Sequence, residues 1–127
     1  MLLSGVALLA MFVAPPAPPT LRLPTVLSSN MVLQRAHKPG VRAVLWGWSN
    51  HSDHVSVSID GTVVGTAIPN ASAAGRWSLA LPVAVHREAS TGHTIVIGAG
   101  TAGATETLTN VAFGDVYLCS VRVVVHY

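Results

Sequence analysis

Residues 55–67 read VSVSIDGTVVGTA. Val55, Val57 and Ile59 alternate with serines, which puts the apolar side chains on one face of an extended chain and the hydroxyls on the other. The alternation stops at Asp60-Gly61, a pair suited to the two positive-φ positions of a tight turn, and a second strand resumes at Val63. The stretch therefore predicts a hairpin with one buried face, and that face needs a second layer to cover it.

The same period continues on both sides. Gly75-Arg76-Trp77-Ser78-Leu79-Ala80-Leu81 and His93-Thr94-Ile95-Val96-Ile97 alternate in the same way. Leu21 to Leu27, Met31 to Gln34, Ala43 to Trp48 and Thr105 to Phe113 supply further strands, with clusters of Pro, Gly, Asn and Ser between them. Short strands at intervals of about ten residues, with no convincing helical stretch, predict an all-β chain folded as an Ig-like or jelly-roll-type β-sandwich.

Length and charge narrow the possibilities. The chain has 127 residues, and a domain near this size buries about 65–70% of its unfolded surface, enough for one core. Charged residues make up only 9%, with seven basic side chains against five acidic ones. Only Arg35, Lys38 and Arg42 come near to clustering, so no basic stripe of the kind that tracks nucleic acid is present. Cys119 is the single cysteine, which excludes an internal disulfide.

Residues 2–14, LLSGVALLAMFVA, are apolar and uncharged, too short to span a bilayer comfortably, and PPAPP follows at 15–19. Residues 1–20 read as a secretory signal with a proline-rich spacer, and no stable membrane insertion is expected. Asn50-His51-Ser52 and Asn70-Ala71-Ser72 are N-glycosylation triplets in predicted turns, so Asn50 and Asn70 are the candidate modification sites of a secreted or lysosomal and endomembrane-lumen protein.

Four segments carry a family resemblance: LRLPTVLSSNMVLQR at 21–35, VLWGWS at 44–49, GRWSLALP at 75–82 and LTNVAFGDVYLCS at 108–120. Together, and in this order, they resemble the N-terminal portion of sialate O-acetylesterase and its bacterial acetylesterase relatives. The resemblance implies a β-sandwich at 21–113, followed from residue 114 by the first strand of an SGNH-type α/β hydrolase domain that removes O-acetyl groups from sialic acids or other acetylated sugars. In the family GDVYLCS continues Gly-Gln-Ser-Asn-Met, whose serine is the nucleophile. Here 121–125 read Val-Arg-Val-Val-Val, so Val123 stands at the nucleophile position. The abrupt change after Ser120 is expected to come from an unspliced intron or a frame change.

A serine esterase needs a nucleophile within about 3 Å of a general base, a third group that orients the base, and donors aimed at the oxyanion. The resemblance supplies none of these, so no catalytic residue, metal ligand or cofactor is assigned. A substitute triad from Ser120, Asp115 and a histidine is disfavoured, because residues five apart on one strand face opposite ways. His51-Ser52-Asp53-His54 reads as a solvated turn rather than a metal site. His37, His86, His93 and His126 read as dispersed singles. For Trp46, Trp48 and Trp77, core packing outweighs a sugar-stacking platform. The competing reading of the chain is a free-standing carbohydrate-binding or interaction module.

Overall fold

In a computed structural model describing residues 12–15, 18, 20–50, 53–100 and 103–120, eight strands carry the fold. They are β1 (Leu21–Arg22), β2 (Val32–Gln34), β3 (Val44–Ser49), β4 (Val55–Ile59), β5 (Thr62–Ala67), β6 (Arg76–Ala80), β7 (Ser90–Ala99) and β8 (Thr105–Gly114). One sheet has the order β1-β3-β6 and the other β2-β8-β7-β4-β5. Every pairing is antiparallel except β2 with β8. The apolar faces of both sheets meet in one cluster that includes Leu33, Leu45, Val55, Val57, Trp77, Ile95, Ile97, Val111 and Phe113. This is the predicted β-sandwich.

The hairpin at 55–67 turns as its sequence dictates, with φ of 50° at Asp60 and 84° at Gly61. Its second strand departs from simple alternation. A register shift lies between Val57 and Ser58, and it turns Val64 toward the core while Val63 stays 64% exposed. The first expected strand is also shorter than Leu21 to Leu27. It ends at Arg22, and Pro24, which has no N–H to give a ladder, begins a turn closed by Leu27 N–H on its carbonyl at 3.0 Å.

From Asp115 to Ser120 the chain has no regular structure and every residue is exposed. Residues 121–127 and the apolar leader up to residue 11 lie outside the described residues, as do His51 and Ser52 of the His51–His54 cluster. Among the described residues no helix is long and apolar enough to cross a membrane.

His86, expected at a surface or strand end, is buried to 1% exposure. Its Nδ1–H donates to the Pro82 carbonyl at 2.8 Å, which leaves Nε2 to accept the Ala43 N–H at 3.3 Å. Both ring nitrogens are thus satisfied only in the neutral form. Burial, with a smaller contribution from the Arg42 charge, holds the imidazole below its ordinary pKa against the opposing pull of the Pro82 carbonyl. The unfolded chain therefore binds the extra proton first. The neutral ring's contribution is fully present above about pH 6.5, the free imidazole range, and is lost as pH falls below it toward the folded value. Urea midpoints should fall over this window, and His86→Gln, which keeps a donor and an acceptor, should flatten the slope. Equal slopes in the two proteins would refute the assignment.

Candidate functional site

Two irregularities in the β7–β8 ladder build the site. Ser90 pairs with Phe113 and His93 with Val111, so β7 advances three residues while β8 advances two. The extra residue is a β-bulge at Thr91-Gly92, with Gly92 at φ 75° and open space where a side chain would stand. Between His93 and Leu108's partner Ile95 the imbalance reverses, and the extra residue falls in β8, where Asn110 takes φ 53°. In a regular strand Ser90 and His93 would face opposite ways. The bulge puts both on the face of Phe113, whose ring centroid lies 5.2 Å from that of His93.

The result is a linear relay. Ser90 Oγ lies 2.7 Å from His93 Nε2, and His93 Nδ1 lies 2.7 Å from Asp60 Oδ2. The remaining Asp60 oxygen accepts the Thr94 N–H at 2.9 Å, and the Asp60 N–H donates to the Thr94 carbonyl at 2.9 Å. The hydrogen bond from Thr94, then that from His93, holds the Asp60 carboxyl below the usual carboxylate range. An ionised carboxylate only accepts, so Nδ1–H donates to Asp60, and in the neutral imidazole Nε2 is left as the acceptor facing the Ser90 hydroxyl. The His93 side chain is 21% exposed and that of Asp60 52%. His93 is therefore no dispersed single. A glycine inside an otherwise alternating strand, Ser-Thr-Gly-His, was the signal that would have announced the bulge.

Asp115, the other aspartate considered for a triad, is used elsewhere. Arg35 holds it with two hydrogen bonds, Nε to Oδ1 at 2.8 Å and Nη2 to Oδ2 at 2.9 Å, and His37 Nδ1 lies 3.3 Å from Oδ1. Pairing with Arg35 lowers the Asp115 pKa and raises that of Arg35. Gln34 Oε1 also accepts the Val116 N–H at 2.9 Å. The end of β2 thus clamps the chain as it leaves β8, and Ser120 makes no hydrogen bond among the described residues. Next to this clamp, Arg35, Lys38 and Arg42 are joined by Arg87 around a cavity of ≈ 640 Å³ with Glu88 on its wall.

The three tryptophans divide between the two faces of the β1-β3-β6 sheet. Trp77 is 2% exposed in the core, as expected. Trp46 and Trp48 are not core residues: they alternate with the buried Leu45, Gly47 and Ser49 and therefore stand on the outer face. Their rings meet edge to face, 5.3 Å apart at 72°, and Arg22 lies 4.6 Å over Trp48 while Arg76 lies 5.2 Å over Trp46. Crossed rings with guanidinium lids do not offer the coplanar surface on which a sugar stacks.

Asn50 and Asn70 differ in what their amides do. Asn50 Nδ2 donates to the Pro18 carbonyl and its Oδ1 accepts the Thr20 N–H. Asn70 caps a short 3₁₀ turn through Oδ1, which accepts the Ser72 N–H, and its Nδ2 has no partner among the described residues.

Among solved structures, a carbohydrate acetylesterase from Xanthomonas citri resembles this chain with a TM-score of 0.57 and 29% identity, over 76% of this chain and 19% of that one. The chain thus spans about a fifth of that protein, and the likeness supports a distant relationship to a carbohydrate esterase. No family model matches the sequence, and no curated protein does.

Proposed function

We propose that the chain is the N-terminal β-sandwich region of a sialate O-acetylesterase-like carbohydrate esterase, and that by itself it does not turn over acetylated sugars. The observation that carries this reading is the 29% identity with a carbohydrate acetylesterase across 76% of the chain, which agrees with the family resemblance of the four sequence motifs. Where the family resemblance places the nucleophile, the chain has Val123. The clamp of Gln34 and Arg35 on residues 114–116 suits a segment that leads from a sandwich into a following domain.

We place this protein in the secretory lumen, where Asn70, with its unengaged amide nitrogen, accepts a glycan more readily than Asn50, whose nitrogen is held by Pro18. Chain produced by secretion from eukaryotic cells should lose mass on N-glycosidase treatment, mainly at Asn70. The same preparation should release no acetate in a saturable manner from 9-O-acetylated sialic acid. Saturable turnover would overturn the reading. Glycan binding without hydrolysis, measured by calorimetry, would favour a free-standing sugar-binding module instead.

A further inference from the structure

We propose that Ser90 is a reactive serine, activated by His93 and Asp60, that accepts an acyl group from esters with a good leaving group. Three features support this independently of any kinship with esterases. The order of groups is that of a hydroxyl, a base and an orienting carboxylate, with both links at 2.7 Å. The nitrogens are the productive ones, since Asp60 occupies Nδ1 and leaves Nε2 for the hydroxyl. The base is fixed, because Asp60 is anchored to β7 through Thr94 and the imidazole ring packs on the buried Phe113. Ser90 itself is only partly buried, at the end of the sheet.

The chemistry follows from this placement. Ser90 Oγ bonds to the acyl carbon of an aryl ester as its proton passes to His93 Nε2, and Asp60 stabilises the imidazolium. The bond between the acyl carbon and the aryl oxygen breaks, the phenolate leaves with the bonding pair, and His93 returns its proton to the phenolate or to water. The product is an ester of Ser90. Ser90 stands on a strand rather than at a helix N-terminus, so the developing oxyanion relies on solvent; each absent preorganised donor costs about 10²–10³ in rate. This confines the reaction to activated donors, and the acyl group, once on a serine alkoxide of poor leaving ability, persists. Acetylated sugars, with alkoxide leaving groups, fall outside it.

The test uses the full chain incubated with 4-nitrophenyl acetate, followed by peptide mapping. One acetyl group is expected on Ser90. Ser90→Ala should abolish modification of that peptide, and His93→Gln should slow it about 10²-fold, the contribution of a positioned general base. Asp60→Asn is informative because Asn-Gly suits the same turn, so the hairpin is retained while the charge is removed. It should slow acetylation and alter its pH profile, which a merely structural Asp60 would not do. Circular dichroism confirms that each variant is folded. The exposed Cys119 and Lys38 are competing acceptors, so the series is repeated in Cys119→Ser. Acetyl groups on Cys119 or Lys38 with Ser90 unmodified would overturn the proposal, as would equal Ser90 acetylation in folded His93→Gln.

Discussion

Replacing Trp77 by alanine should remove a large part of the protein's folding stability. The indole is 2% exposed and packs closely on β3, where a side chain at Gly47 would come within 3.1 Å of its Cζ2. Removing a buried tryptophan leaves a cavity and costs about 3–5 kcal/mol, against a total stability of about 5–15 kcal/mol for a domain. The indole Nε1 is buried without a hydrogen-bond partner among the described residues. Trp77→Phe deletes that unsatisfied donor together with part of the ring volume, so it should cost much less than alanine. Trp46→Ala and Trp48→Ala supply the contrast. Each removes a half-buried ring and one guanidinium contact on the outer face, worth about 1 kcal/mol at such a site. Urea denaturation of the four variants decides the matter: an outer tryptophan that costs as much as Trp77 would show that the two faces of the sheet are wrongly assigned.

Gly75→Ala should be comparably severe, for a different reason. Gly75 has φ 75°, its N–H donates to the Asn70 carbonyl at 2.9 Å, and its own carbonyl accepts the Ser49 N–H at 2.9 Å. A Cβ at this position would overlap the Ser49 carbonyl oxygen. The left-handed backbone alone costs a residue with a side chain about 1–3 kcal/mol, and the overlap forces the end of β3 away from the start of β6. The neighbouring Ala74 already bears such a cost at φ 55°. Ala74→Gly is therefore the paired control, expected to be neutral or stabilising. If Gly75→Ala melts within a few degrees of the parent, the close approach of the two strands is not as described.

The strands were legible because their apolar residues keep a period of two, and the turn at Asp60-Gly61 was legible because positive φ leaves few residue choices. What escaped was every place where the period slips by one. Alternation within the second strand of the hairpin does not reveal that Val64 faces inward, since the register shift in the β4–β5 pair is set by pairing across strands and not by either strand alone. The same blindness hid the relay. Parity arguments discount Ser90 with His93, three apart, just as they discount Asp115 with Ser120, five apart; a bulge rescues the first pair, while Arg35 claims Asp115. An Asp-Gly pair announces a turn but not that the Asp60 side chain leaves it to reach β7. Composition was equally silent on Trp46 and Trp48, because a strand in a two-layer fold has an outer face that large amphipathic rings can occupy under arginine.

The parallel pairing of β2 with β8 bears on how the molecule comes to be folded. Val32 lies beside Ala112 and Gln34 beside Gly114, so each contact joins residues 80 positions apart. The strand synthesised last among the eight occupies an interior position in its sheet, between β2 and β7, and until it arrives the buried Leu33 has no neighbour on that side. Assembly order on the ribosome thus runs against the spatial order of the sheet. Closing so long a loop must be completed before the contacts that reward it exist, which places the chain among the slow folders, on a scale of about milliseconds to seconds. During that interval the early strands wait with open edges, and a chain as poor in charge as this one has little repulsion to keep such edges apart.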